Sequence, residues 1–137
     1  MIDTLSLRHK IGSVLAPIFA NPSIVKVMHG ADSDISWLQR DFGIYVVNLF
    51  DTGRASRALS FPSAGLAYLL SSFAGFTANK RHQLSDWRQR PIPEDMLAYA
   101  RSDTHYLLDV YDRLRLELQK ASEVRYQFRF LSCSHFF

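Results

Sequence analysis

The stretch "IVKVMHGADSDISWLQRDFGIYVVNLFDT", Ile24 to Thr52, decides the fold class. "IVKVMHG" is a nearly continuous apolar run closed by Gly30, the pattern of a strand covered on both faces. "ADSDISWLQRDFG" opens on short acidic and hydroxyl side chains and stops on Gly43, which predicts a helix. Asp32 or Ser33 is the expected cap, and Asp34 falls in the first turn, where the helix dipole favours a carboxylate. "IYVVNLFD" is β-branched and aromatic and reads as another strand, with Asp51 placed to cap a helix starting at Thr52.

Working outward, "MIDTLSL" reads as a short strand and "RHKIGSVLAPIFANPS" as a helix ending near Asn21-Pro22. Strand, helix, strand, helix, strand predicts an α/β layer with parallel neighbours. After Asp51 the pattern turns helical. "TGRASRAL" and "SAGLAYLLSSFAGF" read as two short helices joined through Phe61-Pro62, and "TANKRHQLSDWRQRPI" as a polar loop. A long helix follows from about Pro93, with Glu94 and Asp95 at its positive end. The tail after Lys120 has no clear periodicity, and the sequence assigns it no structure.

Composition narrows the function classes. The 137 residues carry a net charge of +3, which permits nucleic-acid binding without indicating it. The apolar runs are too short to cross a bilayer, and the N-terminus has no basic region followed by an apolar run. Cys133 is alone, so an intracellular protein without an internal disulfide is expected. No Gly-rich phosphate loop, CxxC pair, HExxH or GxSxG occurs.

The candidate chemistry starts on the long helix, in "YARSDTHYLLDVYDRLRLEL". Met96, Ala100, Leu107, Val110, Leu114 and Leu118 form an apolar stripe at helical steps, and Asp103 fills the missing position. An ionised carboxylate there costs several kcal/mol unless a cation or donors compensate it. Tyr99 lies one turn earlier on nearly the same face. Spacing alone leaves open an Asp103 at the edge of the stripe, solvated or paired with Arg101.

Asp34 is either part of a helix start or a group reaching the crevice at the carboxyl end of a buried strand, where α/β sheets bind ligands. His29 beside it reads first as a satisfied structural histidine. In the polar loop, Lys80, Arg81, Arg88 and Arg90 stand with His82 and Trp87. Basic groups around an aromatic can hold phosphates and stack a base, or Trp87 can simply pin the loop to the core.

In order and spacing, "HGADSDISWLQRDFG", "VVNLFDT" and "QLSDWRQRPIPEDMLAYARSDTHYLL" strongly resemble the RNase D-type 3′-5′ exonucleases, the DEDD superfamily members that carry a tyrosine. Within that group the resemblance is to the branch serving the nuclear RNA exosome, and it covers roughly Met1 to Leu118. It implies an RNase H-like α/β exonuclease domain over residues 1–119, followed by a divergent tail, 120–137. It also implies two divalent metal ions (Mg²⁺ or Mn²⁺), one generating the attacking hydroxide and one stabilising the leaving oxygen. Carried over, Asp34 and Asp103 are metal ligands and Tyr99 orients the water, so a cation would compensate Asp103. His29, Lys80, Trp87 and Arg88 become the candidate nucleic-acid contacts. The implied partners are a single-stranded RNA 3′ end and the nuclear exosome core with its cofactors, in the nucleolus or nucleoplasm.

The sequence also departs from the family. The first motif, Asp-x-Glu on an upstream strand, is not present, and Asp3 matches a later strand. Metal binding and catalysis are therefore expected to be impaired, and the fold to be partial, with N-terminal strands of the sheet lacking and an apolar edge exposed. The chain reads as a piece of a longer protein. The alternatives are a non-catalytic remnant that binds RNA or the exosome, and a DNA-directed relative of the same superfamily.

Overall fold

The computed structural model describes residues 1–79 and 81–133, with side chains described to Glu123. The elements are α1 (Arg8–Phe19), β1 (Lys26–Met28), α2 (Asp32–Phe42), β2 (Leu49–Asp51), α3 (Thr52–Ala58), α4 (Leu66–Ala74), α5 (Glu94–His105) and α6 (Leu107–Cys133). The strands are parallel, with Lys26 opposite Leu49, Val27 opposite Phe50 and Met28 opposite Asp51. The connection between them is α2, so this is the expected α/β arrangement. Among the described residues, no helix is long and apolar enough to cross a membrane.

The core lies where α3, α4 and α6 meet. Ala55, Leu69, Leu70, Val110 and Leu114 form its buried centre, with Phe50, Phe61 and Leu118 packed against it. The helix stripe is borne out: Met96, Leu107, Val110 and Leu114 are all buried. Leu114 is fully buried, so Leu114→Ala is expected to cost about 2–5 kcal/mol, read from urea unfolding. A loss under about 1 kcal/mol would show that the three-helix contact does not hold the fold together.

Four local expectations need correction. "MIDTLSL" is not a strand but a turn. The Asp3 carboxylate accepts the Leu5 N–H at 3.1 Å and the Ser6 hydroxyl at 2.8 Å, local bonds that compete with extended backbone. Arg90 then grips Asp3 from 87 residues away, at 2.6 and 3.0 Å, and joins the turn to the polar loop.

In "IYVVNLFD" only Leu49–Asp51 pairs. Asn48 takes a left-handed φ of 56°, which ends the extended run before it. Its side-chain amide donates to the Pro22 carbonyl at 2.8 Å, and its own carbonyl accepts from the Lys26 N–H at 2.9 Å.

Neither Asp32 nor Ser33 caps α2. The cap position is Ala31, no side chain bonds there, and Asp32 pairs with Arg54 instead. Finally, the long helix is two helices. It breaks at Tyr106, whose ring packs on Phe76 at 4.9 Å, and Tyr106 starts α6 by offering its carbonyl to Val110. Beyond that break α6 runs on through Lys120 to Cys133, across the tail to which the sequence assigned no structure.

One buried charge was not legible. Lys26, 7% exposed at the start of β1, points its ammonium at three carbonyls: Asn21 at 2.7 Å, Ile24 at 2.6 Å and Ile18 at 3.5 Å. It thereby satisfies two carbonyls of the α1–β1 connection and one in the last turn of α1, where a cation also meets the helix dipole favourably. Lys26→Met keeps the length but not the donors, and is expected to cost about 2–3 kcal/mol. An unchanged Tm would show that those carbonyls are satisfied by water.

The N-terminal turn is acid-sensitive. Hydrogen bonds from Arg90 and then Ser6 hold the Asp3 carboxyl well below its ordinary value of 3.8. A depressed folded value stabilises the native state above the unfolded range, and that contribution is lost as pH falls below about 4. Arg90→Leu is therefore expected to lower stability modestly above about pH 4 and to change it little in strong acid, which flattens the acid limb of the stability profile. An unaltered acid limb would sink this reading.

The apolar surface expected beside a short sheet is present. Ile24, Val25, Tyr45 and Val47, which flank the two strands, are each at least 41% exposed.

Candidate functional site

β1 ends at Met28, and the chain turns through His29, Gly30 and Ala31 into α2. That places His29 at the carboxyl end of a parallel strand, the end at which α/β sheets present ligand sites. The turn is held by Asp51, at the same end of β2. One Asp51 oxygen accepts from Gly30 N at 3.1 Å, Gly53 N at 2.8 Å and Arg54 N at 3.1 Å; the other accepts from Ala31 N at 2.8 Å. Asp51 is the α3 cap that the sequence suggested, and it also ties the β1–α2 turn to the β2–α3 turn. Burial alone would raise its carboxyl, but the four backbone donors outweigh this and lower it.

His29 faces a cavity of about 370 Å³ whose walls include Tyr99 and Asp103 from α5, Asn79 and Gln83 from the polar loop, and Gly65 and Leu66 at the start of α4. Trp87 joins Gln83, Tyr99 and Asp103 around an adjoining cavity. Tyr99 and Asp103 meet here because they are one turn apart on one face of α5, while Met96 and Leu107 go to the core. The Tyr99 ring lies 6.0 Å from both the His82 and the Trp87 rings. His82 is held at both nitrogens, by Ser85 Oγ at 3.1 Å and Asp95 Oδ2 at 3.2 Å, so the polar loop is fastened to α5 behind the tyrosine.

The electrostatics follow from burial. The Asp103 carboxyl is raised by burial, offset in part by a hydrogen bond from Tyr99. The Tyr99 hydroxyl is raised first by burial and then by the Asp103 charge. Arg101 does not compensate Asp103: it points away and pairs with Glu94 at 3.0 Å. The carboxylate in the stripe is thus half-buried and has no ion-pair partner among the described residues.

The remaining sequence candidates separate. Asp34 stands in the first turn of α2, half-buried, and is not part of the cavity wall. Arg88 is spread over the Asp86 carboxylate at 2.8 and 3.0 Å on the outer side of the loop. Lys80 lies outside the described residues. Asn79, Gln83 and the Gly65–Leu66 turn were not singled out beforehand, because polar and small loop residues carry no spacing that marks them.

Among the described residues, no group of three or more His, Cys, Asp or Glu could hold a metal ion. Two carboxylates, Asp34 and Asp103, are too few to fix a pair of divalent ions, so the donor set here does not fit the complete two-metal arrangement.

Comparison with known proteins agrees with the fold. The model of a 3′-5′ exonuclease family matches residues 1–119. The chain is 58% identical over 123 residues to Protein RRP6-like 2 of Arabidopsis thaliana, covering 90% of this chain and 14% of that protein. It is 54% identical over 132 residues to Exosome complex exonuclease RRP6 of Saccharomyces cerevisiae, covering 94% and 18%. The crystal structure of the catalytic core of RRP6 from Trypanosoma brucei superposes with a TM-score of 0.84 at 48% identity, covering 88% of this chain and 33% of that one. Brucella melitensis NrnC, 25% identical with a TM-score of 0.71 over 81% of this chain and 54% of its own, has been solved with bound Mg²⁺. The chain therefore spans less than a fifth of the length of those two curated relatives. On the match over residues 1–119 and these identities, the chain belongs to the 3′-5′ exonuclease family, with the RNase H-like fold of the RNase D and RRP6 exonucleases.

Proposed function

We propose that this chain supplies the tyrosine-and-acid part of an exoribonuclease site that removes nucleotides from RNA 3′ ends. The observation that carries the reading is the convergence of His29, Tyr99 and Asp103 on one cavity at the carboxyl end of β1. In this reading Asp103 and Asp34 are metal ligands and Tyr99 orients the attacking water. Trp87, beside Tyr99, offers a stacking face, and Lys80 and Arg88 are proposed as phosphate contacts, for which Arg88 would have to leave Asp86. The amino-terminal turn of α4, in the cavity wall, adds a dipole end that suits an anion.

The names of the relatives, RRP6-like and exosome exonuclease, support a place with the nuclear exosome core in RNA processing and decay. Residues 1–119 form the exonuclease domain in this proposal, and 120–137 an appended tail. The carboxylate count favours a second reading within it: the chain holds an RNA end without cutting it efficiently.

Both readings meet in one experiment. With 5′-labelled single-stranded RNA in Mg²⁺ or Mn²⁺, shortening is expected to be no faster than with Asp103→Ala. Binding is expected to be salt-dependent and roughly tenfold weaker when the RNA carries a 3′-phosphate, because that dianion would stand beside Asp103. A 3′ ladder that vanishes in Asp103→Ala would overturn the impairment. Binding indifferent to the 3′-phosphate would overturn the RNA-end site itself.

A further inference from the structure

His29 carries more information than its place in the cavity wall. Its Nδ1 lies 2.9 Å from Thr52 Oγ1, and Thr52 Oγ1 lies 3.1 Å from the Met28 carbonyl oxygen. A carbonyl can only accept, so the single hydroxyl proton of Thr52 goes to Met28 O. Thr52 Oγ1 then has only lone pairs left to offer His29, and Nδ1 must be the nitrogen that carries the proton. Thr52 is 0% exposed, so water cannot easily replace either bond. In the neutral ring, Nε2 is left as a bare lone pair.

Nε2 has no protein partner among the described residues, yet it is not a buried orphan, since Ser56 Oγ is the one buried side-chain polar atom without a partner there. The ring is also fixed in place. A Cβ on Gly53 would stand 3.4 Å from the His29 Cε1 atom, so the backbone of α3 closes that side of the imidazole. Burial lowers the His29 pKa from 6.5, Arg57 lowers it further, and the Asp51 charge opposes both. The neutral form is therefore the one present near pH 7.

A fixed lone pair selects its ligand. It repels phosphate oxygens and carboxylates and accepts from a hydroxyl or an N–H. Resting on the RNA-end reading above, we propose that His29 Nε2 accepts a hydrogen bond from a hydroxyl of the 3′-terminal ribose, in the cavity shared with Tyr99 and Asp103. His29 is then a specificity residue, and Met28 O and Thr52 are the positioning groups that set its tautomer. The 2′- and 3′-hydroxyls share this donor chemistry, and terminal 2′-deoxy and 3′-deoxy nucleotides separate them.

The test uses the whole chain in Ca²⁺ or EDTA, so that no turnover is required. Binding of 5′-labelled single-stranded RNA is compared for ends carrying ribose, 2′-deoxyribose or 3′-deoxyribose. One of the two deoxy ends is expected to bind about five- to tenfold more weakly, the effect of one well-made hydrogen bond. His29→Ala should bind all three ends alike, and His29→Gln, whose side-chain oxygen can accept at similar reach, should restore part of the difference. Independently, long-range ¹H–¹⁵N spectra of the free protein should show His29 protonated at Nδ1, with that preference lost in Thr52→Val.

Protonation at Nε2 in the wild type overturns the proposal. So does discrimination that survives His29→Ala in a variant whose amide spectrum is otherwise native. If the chain binds RNA but treats all ends alike, this inference fails alone. If it binds no RNA end, the exoribonuclease reading fails with it.

Discussion

Asp51→Ala is expected to cost about 4 kcal/mol or more in urea unfolding, enough to leave a domain of this size marginal or unfolded at 37 °C. Four backbone N–H groups, from Gly30, Ala31, Gly53 and Arg54, lose their acceptor at once. Two of them lie in the β1–α2 turn and two at the start of α3, and Asp51 itself is 7% exposed. Water has little access to replace them, so each donor bears part of its desolvation cost. Asp51→Asn should lose roughly half as much, because one oxygen can keep its three donors while the amide opposes Ala31 N–H. A cost under about 1 kcal/mol for the alanine variant would show that the turns are held by something other than this carboxylate.

The same site gives a pH dependence. The folded carboxyl of Asp51 is depressed below its ordinary 3.8, so its contribution is complete above that range and fades as pH falls through it. Acid unfolding below about pH 4 should therefore lose much of its steepness in Asp51→Asn.

Asp103 behaves in the opposite sense, which gives the second large effect. Its folded carboxyl is raised, so ionisation above the unfolded value of 3.8 penalises the native state. Asp103→Asn removes the charge at constant shape and is expected to raise Tm by several degrees at pH 7. That gain should vanish below about pH 4, where the carboxyl is neutral in both states. In the proposed role, millimolar Mg²⁺ or Mn²⁺ should raise the Tm of the wild type and leave Asp103→Asn unmoved, even if the two-carboxylate set holds ions only weakly. An Asp103→Asn variant less stable than the wild type at pH 7 would mean that the carboxylate is a structural partner. Equal responses to the ions would remove it from any metal site. A residue whose loss stabilises the fold is a familiar sign of a site shaped for a ligand.

Much of this was legible from the residues. The 3.6-residue period on either side of Tyr106 marked the stripe that α5 and α6 bury, and with it the misfit at Asp103. Gly43, in the left-handed region at φ 63°, ended α2 where its residue type implied. Asp51 before Thr52 was readable as a cap because an N-cap is a contact between near neighbours. The order of the motifs fixed the family, as the match over residues 1–119 bears out.

What eluded the sequence shares one property: it depends on which polar atoms the folded chain brings together. Asp51 looks like a cap for α3, yet half of its bonds go to a turn about twenty residues earlier. Lys26 interrupts an apolar run as though it were a surface residue, and only the fold of the α1–β1 connection brings the Asn21 and Ile24 carbonyls over its ammonium. "MIDTLSL" has the composition of a strand, but Asp3 bonds its own backbone and is then taken by Arg90. His29 was readable only as a structural histidine or, by resemblance, a nucleic-acid contact, and its tautomer was set only when β2 and α3 brought Thr52 against its Nδ1.

Period, caps and motif order are local, and hydrophobic burial and backbone geometry act on them one segment at a time. The sequence by itself therefore determined most of the elements, the family and the pairing of Tyr99 with Asp103. Which polar atom satisfies which, and so which nitrogen of His29 stays open to the cavity, was decided only when the parallel strands aligned their carboxyl ends. A hydrogen bond depends on distance and direction, and only the folded chain supplies both.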